Sequence, residues 1–208
     1  MQLSQAVSVA STDRSSRALQ ATIHETSDVV LVEKIAAGDK QALQVLYGRH
    51  SVKVFRFALR FVRDEAAAED MVSEVFFDVW RQAERFEQRS QVSTWLLAIA
   101  RNKALSSLRR RCNEQLDDGV AEFIEDPSDN PEVTMQKQER GQILRDCLQK
   151  LSAAHREIID LVYYHEKTIE EVAEIVGVPM NTVKTRMFYA RKRIAELMAG
   201  RGIERYAI

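Results

Sequence analysis

Apolar residues recur along this chain with a period near that of a helix, so the pattern predicts helices rather than strands. Val29–Ala37 reads as a short apolar helix, with Asp28 as its N-cap and Gly38-Asp39 as its stop. A longer helix is expected from about Lys40 to Val62, burying Leu43, Leu46, Tyr47, Val54, Phe55, Ala58, Leu59 and Val62. Asp64 is placed to cap a third, about Glu65–Ala83, whose stripe is Val72, Val75, Phe76, Val79 and Trp80. A polar loop, Arg85–Gln91, precedes a helix that Ser93 or Thr94 caps and that runs to about Arg111. Further on, one helix is expected near Pro131–Lys150. Ser152 caps another, Ala153–His165, with Ile158, Ile159, Leu161, Val162 and Tyr163 as core candidates.

The stretch Lys167–Met198 organises the C-terminal half. Ile169, Val172, Ala173 and Val176 form one apolar face, Gly177-Val178-Pro179 breaks it, and Val183, Met187, Ala190, Ile194 and Leu197 form a second. Ala173, Gly177 and Val183 stand where a helix-turn-helix needs a small residue, a permissive backbone and a core anchor. Five Lys/Arg fall between Lys184 and Arg193 with no acid among them. That suits a recognition helix in a major groove. A plain helical hairpin with a solvated basic face is the alternative.

Composition adds a charge partition that the net charge of −1 conceals. Residues 28–112 hold 15 basic and 11 acidic side chains, residues 113–141 hold 2 and 9, and residues 142–208 hold 11 and 9. Two mildly basic blocks are thus joined by an acidic strap. Only 7 Gly and 3 Pro in 208 residues agree with a mostly helical chain. The expected fold class is all-α: two small helical domains joined by a flexible acidic linker, the C-terminal one with a helix-turn-helix. Residues 1–27, rich in Ser, Thr, Gln and Ala, read as a flexible tail. The first domain is set at 28–112, the linker at 113–135 and the second domain at 136–208.

Within the first domain two features carry chemistry. The third helix presents Asp70, Glu74 and Asp78 along one face, an acidic ridge that repels itself and suits either solvent or a basic partner. The fourth begins Trp95-Leu96-Leu97-Ala98-Ile99-Ala100 and continues through Arg101, Asn102, Lys103 and Arg109-Arg110-Arg111. Basic groups there suit phosphates, and an amide or an aromatic beside them suits bases. Cation–dipole stabilisation of the helix end is the alternative for Arg109–Arg111.

The two cysteines, Cys112 and Cys147, have no metal or disulfide spacing and read as free thiols of a reducing cytosol. Arg109–Arg111 beside Cys112 favour its thiolate, which leaves a redox-sensing role open. The four histidines form no ligand pattern. No metal or cofactor is expected. No apolar run approaches the roughly 18 residues of a membrane helix, and the N-terminus lacks a secretory pattern, so a cytoplasmic protein without membrane insertion is expected.

These residues resemble a known family. Ala68-Glu69-Asp70-Met71-Val72-Ser73-Glu74-Val75-Phe76 with Val79-Trp80 is similar to the segment of bacterial sigma factors that binds core RNA polymerase. Ser93–Asn102 resembles the segment that melts and reads the −10 element, and Leu151–Leu197 the domain that reads the −35 element. The order and the linker resemble the small two-domain sigma factors of the extracytoplasmic-function (ECF) type, within the sigma-70 family. The resemblance implies an alternative, stress- or signal-responsive initiation factor held by an anti-sigma factor. It implies that Asp70, Ser73, Glu74 and Trp80 meet the clamp helices of the largest polymerase subunit, and that the second domain meets the flap. Asn102 would contact an unpaired −10 base, with Arg101 and Lys103 on the backbone. The loop Glu87–Val92, with Arg89, Ser90, Gln91 and Val92, would hold a flipped-out base, offsetting an unstacking cost of a few kcal/mol. Thr182, Lys184, Thr185, Arg186, Phe188, Tyr189 and Lys192 would face the −35 element, and the linker would thread toward the RNA exit path. This chain has Ser73 where the family often has Gln, no Gly in the flipping loop, and Tyr189 where Arg is frequent.

Two other functions compete. A stand-alone helix-turn-helix regulator would bind duplex tightly without polymerase. An enzyme would need a convergent nucleophile and base, a Gly-rich phosphate loop or a metal set, and the sequence offers none of these.

Overall fold

The computed structural model describes residues 26–114 and 143–201. The tail up to residue 25, the linker, the first part of the helix expected from Pro131 and the Cys112 side chain lie outside the described residues. Every described element is helical, and the chain divides into two compact units between Glu114 and Gln115.

The first unit contains α1 (Asp28–Ala36), α2 (Lys40–Val62), α3 (Glu65–Gln82), a 3-10 turn (Ala83–Arg85) and α4 (Val92–Glu114). Side chains stop and start these helices locally. Asp39 accepts the Gln41 and Ala42 amides at 2.8 and 3.2 Å, and Asp64 accepts Ala67 N–H at 2.6 Å. Each such cap stabilises its helix by about 1 kcal/mol. Two expected caps differ. Ser27, not Asp28, caps α1 through Val30 N–H. That leaves Asp28 free to accept from Arg49 at 2.6 Å and to meet His50 Nε2 at 2.6 Å. At the start of α4, the Gln91 carbonyl takes the Thr94 and Trp95 amides, so Ser93 and Thr94 lie inside the first turn.

The long helix α2 is the spine, packed on α1, α3 and α4. Its buried line is Ala42, Leu46, His50, Val54, Phe57, Ala58 and Val62. The expected line differs in part: Leu43, Phe55 and Leu59 are half-buried, and Tyr47 is exposed, its ring 4.8 Å from Phe76. Leu46, Val54, Ala58 and Val62 are buried as expected, while Ala42, Phe57 and His50, the last paired with Asp28, fill the rest of the line. Burial alone would raise the Asp28 pKa; hydrogen bonds from Arg49 and His50, and their charges, outweigh it and hold the carboxyl below its ordinary value.

The second unit contains α5 (143–149), α6 (Ala153–Tyr163), α7 (Ile169–Val176) and α8 (Met180–Ala199). Ser152 caps α6 as expected, accepting His155 N–H at 3.3 Å. Arg156 then donates to the Leu148, Gln149 and Leu151 carbonyls at 3.1, 2.7 and 3.1 Å, closing the end of α5. Thr168 and Glu171 form a capping box at the start of α7, and Glu171 also accepts from Lys167 at 2.9 Å. Gly177 ends α7 at φ 70°, a left-handed position that a side chain would strain. The helix α8 packs on α6 and α7 through Val183, Met187, Ala190 and Ile194. Three expectations shift. Helix α6 stops at Tyr163, short of His165, and Tyr163 is exposed; Val162 is half-buried; and Met198 rather than Leu197 completes the α8 stripe. Cys147 is a buried free thiol.

Candidate functional site

Three surfaces carry the candidate residues. On α3 the apolar stripe Met71, Val72, Val75, Phe76 and Val79 turns inward. The opposite face leaves Asp70, Ser73, Glu74 and Phe77 exposed, and Trp80 half-buried at its edge. The expected self-repulsion of the acidic ridge is relieved from outside the helix. Lys103 of α4 reaches across to Asp78 at 2.8 Å and to Glu74 at 3.3 Å. Desolvation would lower the Lys103 pKa, but the bonds and charges of Asp78 and Glu74 outweigh it and raise it. Lys103 was expected on a DNA backbone; without nucleic acid present, its ammonium rests on the acidic ridge.

The second surface combines the loop after the 3-10 turn with α4. Val92, Leu96, Leu97, Ala100 and Ala104 are buried, which leaves Trp95, Asn102 and Arg109 along one outward line. Phe86 packs against Trp95 with ring centroids 4.9 Å apart, so the loop rests on the aromatic start of α4. Gln88 takes a left-handed φ of 56°, and its side-chain amide donates to Glu33 of α1 at 2.8 Å. A loop without glycine therefore turns at Gln88. Arg89 and Gln91 are exposed, Ser90 is half-buried, and Arg89 pairs with Glu87 at 2.7 Å. Val92 does not belong to this loop surface. It is 3% exposed and anchors α4 in the core. Asn102 is exposed and Arg101 half-buried beside it.

The third surface is the outer face of α8. Lys184, Thr185, Phe188, Tyr189 and Lys192 are all exposed there, with Thr182 and Arg186 half-buried at the margins. Among the described residues, no carboxylate pairs with Lys184 or Lys192. The Thr185 hydroxyl turns back on the Asn181 carbonyl at 2.8 Å. Phe188 and Tyr189 meet edge-on at 5.5 Å, and Arg191 lies 5.9 Å over the Tyr163 ring. Sequence reasoning missed two features. Phe77 hid within the apolar run Val75-Phe76-Phe77, although it falls about 100° from the buried stripe. The Arg191–Tyr163 contact had no sequence signal, since the partners sit on different helices.

No group of His, Cys, Asp and Glu able to hold a metal ion occurs among the described residues, and none of their helices is long and apolar enough to cross a membrane. The first unit matches the family described as sigma-70 region 2 over residues 46–113, and the second matches sigma-70 region 4 over residues 141–194. The chain is 33% identical over 182 residues to an ECF RNA polymerase sigma-E factor of Haemophilus influenzae, covering 82% of this chain and 94% of that one. The chain belongs to the ECF group of the sigma-70 family.

This sigma factor is also 30% identical over 179 residues to the RNA polymerase sigma-H factor of Pseudomonas aeruginosa, covering 82% and 93% of the two chains. Among solved structures it is similar to the sigma factor RpoE of Bartonella quintana in complex with the anti-sigma factor NepR. That likeness has a TM-score of 0.57 and 26% identity over 74% of this chain and 94% of that one. The fold also resembles CnrH in complex with the cytosolic domain of CnrY, with a TM-score of 0.61 and 22% identity over 84% and 99% of the chains. Family membership sets aside the stand-alone regulator. Sigma factors are not enzymes; they bind core RNA polymerase and promoter DNA, and they direct where transcription starts.

Proposed function

We propose that this sigma factor divides promoter recognition between two small readers whose spacing only the polymerase sets. Asp70, Ser73, Glu74 and Trp80 on α3 meet the clamp helices of the largest subunit, and the second unit meets the flap. Asn102 and Arg101 take the unpaired −10 strand, and Arg89, Ser90 and Gln91 border the pocket for a flipped base. Lys103, which pairs with Glu74 and Asp78, borders the backbone of the same strand. Thr182, Lys184, Thr185, Arg186, Phe188, Tyr189 and Lys192 face the −35 duplex. The domain bounds are 28–112 and 136–208, with residues 1–27 as a tail and residues 113–135 as the linker between the readers.

The observation that carries this reading is the pairing of opposite faces: an acidic exposed face on α3 in one unit, a basic exposed face on α8 in the other. An acidic face suits a basic protein surface and repels DNA; a basic helix behind a left-handed Gly177 suits a major groove. The protein works in the cytoplasm, where polymerase and promoters are, and an anti-sigma factor holds it until a signal releases it. The structure of the Bartonella quintana sigma factor RpoE with its anti-sigma factor NepR supports that last point.

Run-off transcription with purified core polymerase over a pool of genomic fragments tests the proposal. Promoter-dependent transcripts that require this protein are expected. Absence of any promoter-dependent transcript, together with absence of binding to core, would overturn it.

A further inference from the structure

Asp70, Ser73, Glu74, Phe77 and Arg81 fall at i, i+3, i+4, i+7 and i+11, one continuous exposed face of α3. Phe77 is in the middle of it and 60% exposed. Side chains on a helix lean toward its N-terminus, so the Phe77 ring lies over the turn that holds Ser73 and Glu74. Ser73 does not cover it. Its side chain is short, and its hydroxyl is turned back on the Glu69 carbonyl at 3.3 Å. Arg81 lies 5.7 Å from the ring centroid, yet the residue stays 60% exposed. A single exposed apolar side chain is ordinary; Phe77 stands apart because it lies amid the polymerase-facing Asp70, Ser73 and Glu74, where an aromatic can act as an interface anchor.

We propose that Phe77 is the apolar anchor of the polymerase-facing surface, seated in an apolar pocket on a basic region of the core enzyme. The acids Asp70 and Glu74 beside it favour a basic occupant and disfavour both nucleic acid and a second acidic α3 face. Ser73 and Phe77 act together: the short residue exposes the ring, and the ring supplies the contact that a longer residue at position 73 would have made. The proposal rests on the polymerase reading of α3.

Binding of the full-length protein to core polymerase, read by fluorescence anisotropy, tests it. Phe77→Ala is expected to weaken binding by roughly thirtyfold, as for a buried interface aromatic. Phe77→Leu, which keeps most of the apolar volume, is expected to retain most of the affinity. Val52→Ala, at another exposed apolar side chain on α2, is expected to change nothing. Because Phe77 lies in solvent, helicity and melting temperature of Phe77→Ala stay at the parent values, which separates lost docking from lost folding. Parent-like binding by Phe77→Ala overturns the anchor while leaving the polymerase reading intact. Failure of the parent protein to bind core overturns both. An effect of Phe77→Ala on self-association alone, read by sedimentation, also overturns the anchor.

Discussion

The α3 face and the α8 face are built alike and charged oppositely. Each helix buries an apolar stripe and leaves aromatics exposed on the other side: Phe77 on α3, Phe188 and Tyr189 on α8. They differ in how the protein treats their charge. On α3 the carboxylates of Glu74 and Asp78 already have a cation from the same unit, Lys103. On α8 Lys184 and Lys192 have no carboxylate partner among the described residues. A pre-paired ridge limits self-repulsion and keeps its carboxylates in fixed positions, which suits docking onto a folded protein. Unpaired cations suit a polyanion, because each phosphate contact releases counterions and so adds affinity without demanding exact geometry.

The largest effect separates the two units. Leu46 is fully buried in the first unit, and Leu46→Ala is expected to cost about 3 kcal/mol through lost burial and the cavity left behind. Denaturant unfolding should register that loss, while duplex binding by the second unit stays unchanged. Loss of duplex binding in this variant would break the picture of two separate readers.

A crossed pair comes next. Glu74→Gln should weaken core binding severalfold and leave the salt dependence of −35 duplex binding as it was. Lys184→Ala should do the reverse, lowering the magnitude of the salt slope by about one for a lost phosphate contact. Anisotropy titrations at several salt concentrations check both. Interchanged effects would reverse the assignment of the two faces.

The smallest effect concerns acid. The folded-state pKa of Asp28 lies below its ordinary value of 3.8. Its contribution is therefore fully present above that ordinary value and lost as pH falls through the folded value. Asp28→Asn should flatten the acid limb of the stability–pH curve of the first unit, read by thermal melting, and leave the limb of the second unit alone. An unchanged acid limb would show that the Asp28–Arg49–His50 contact does not contribute.

Much was legible before any coordinates. Helix starts at Asp64 and Ser152, the stop at Gly177 and most of the inner stripes of α3 and α8 were read directly, though Trp80 is half-buried and Met198 replaces Leu197, and the motifs pointed to the family. These signals are local: a cap binds an amide two or three residues away, and a stripe is set by the helical period. The sequence thus determined the helices, the family and the two oppositely charged faces. Only the tertiary structure decided which charged and aromatic groups remained available on them. Lys103 finds Glu74 29 residues away, Gln88 finds Glu33 55 residues away, and Asp28 meets His50 22 residues away. Val92 and Tyr163 exchange their expected sides for the same reason. Burial and pairing depend on which helix packs beside a residue, and the chain fixes that only when it folds.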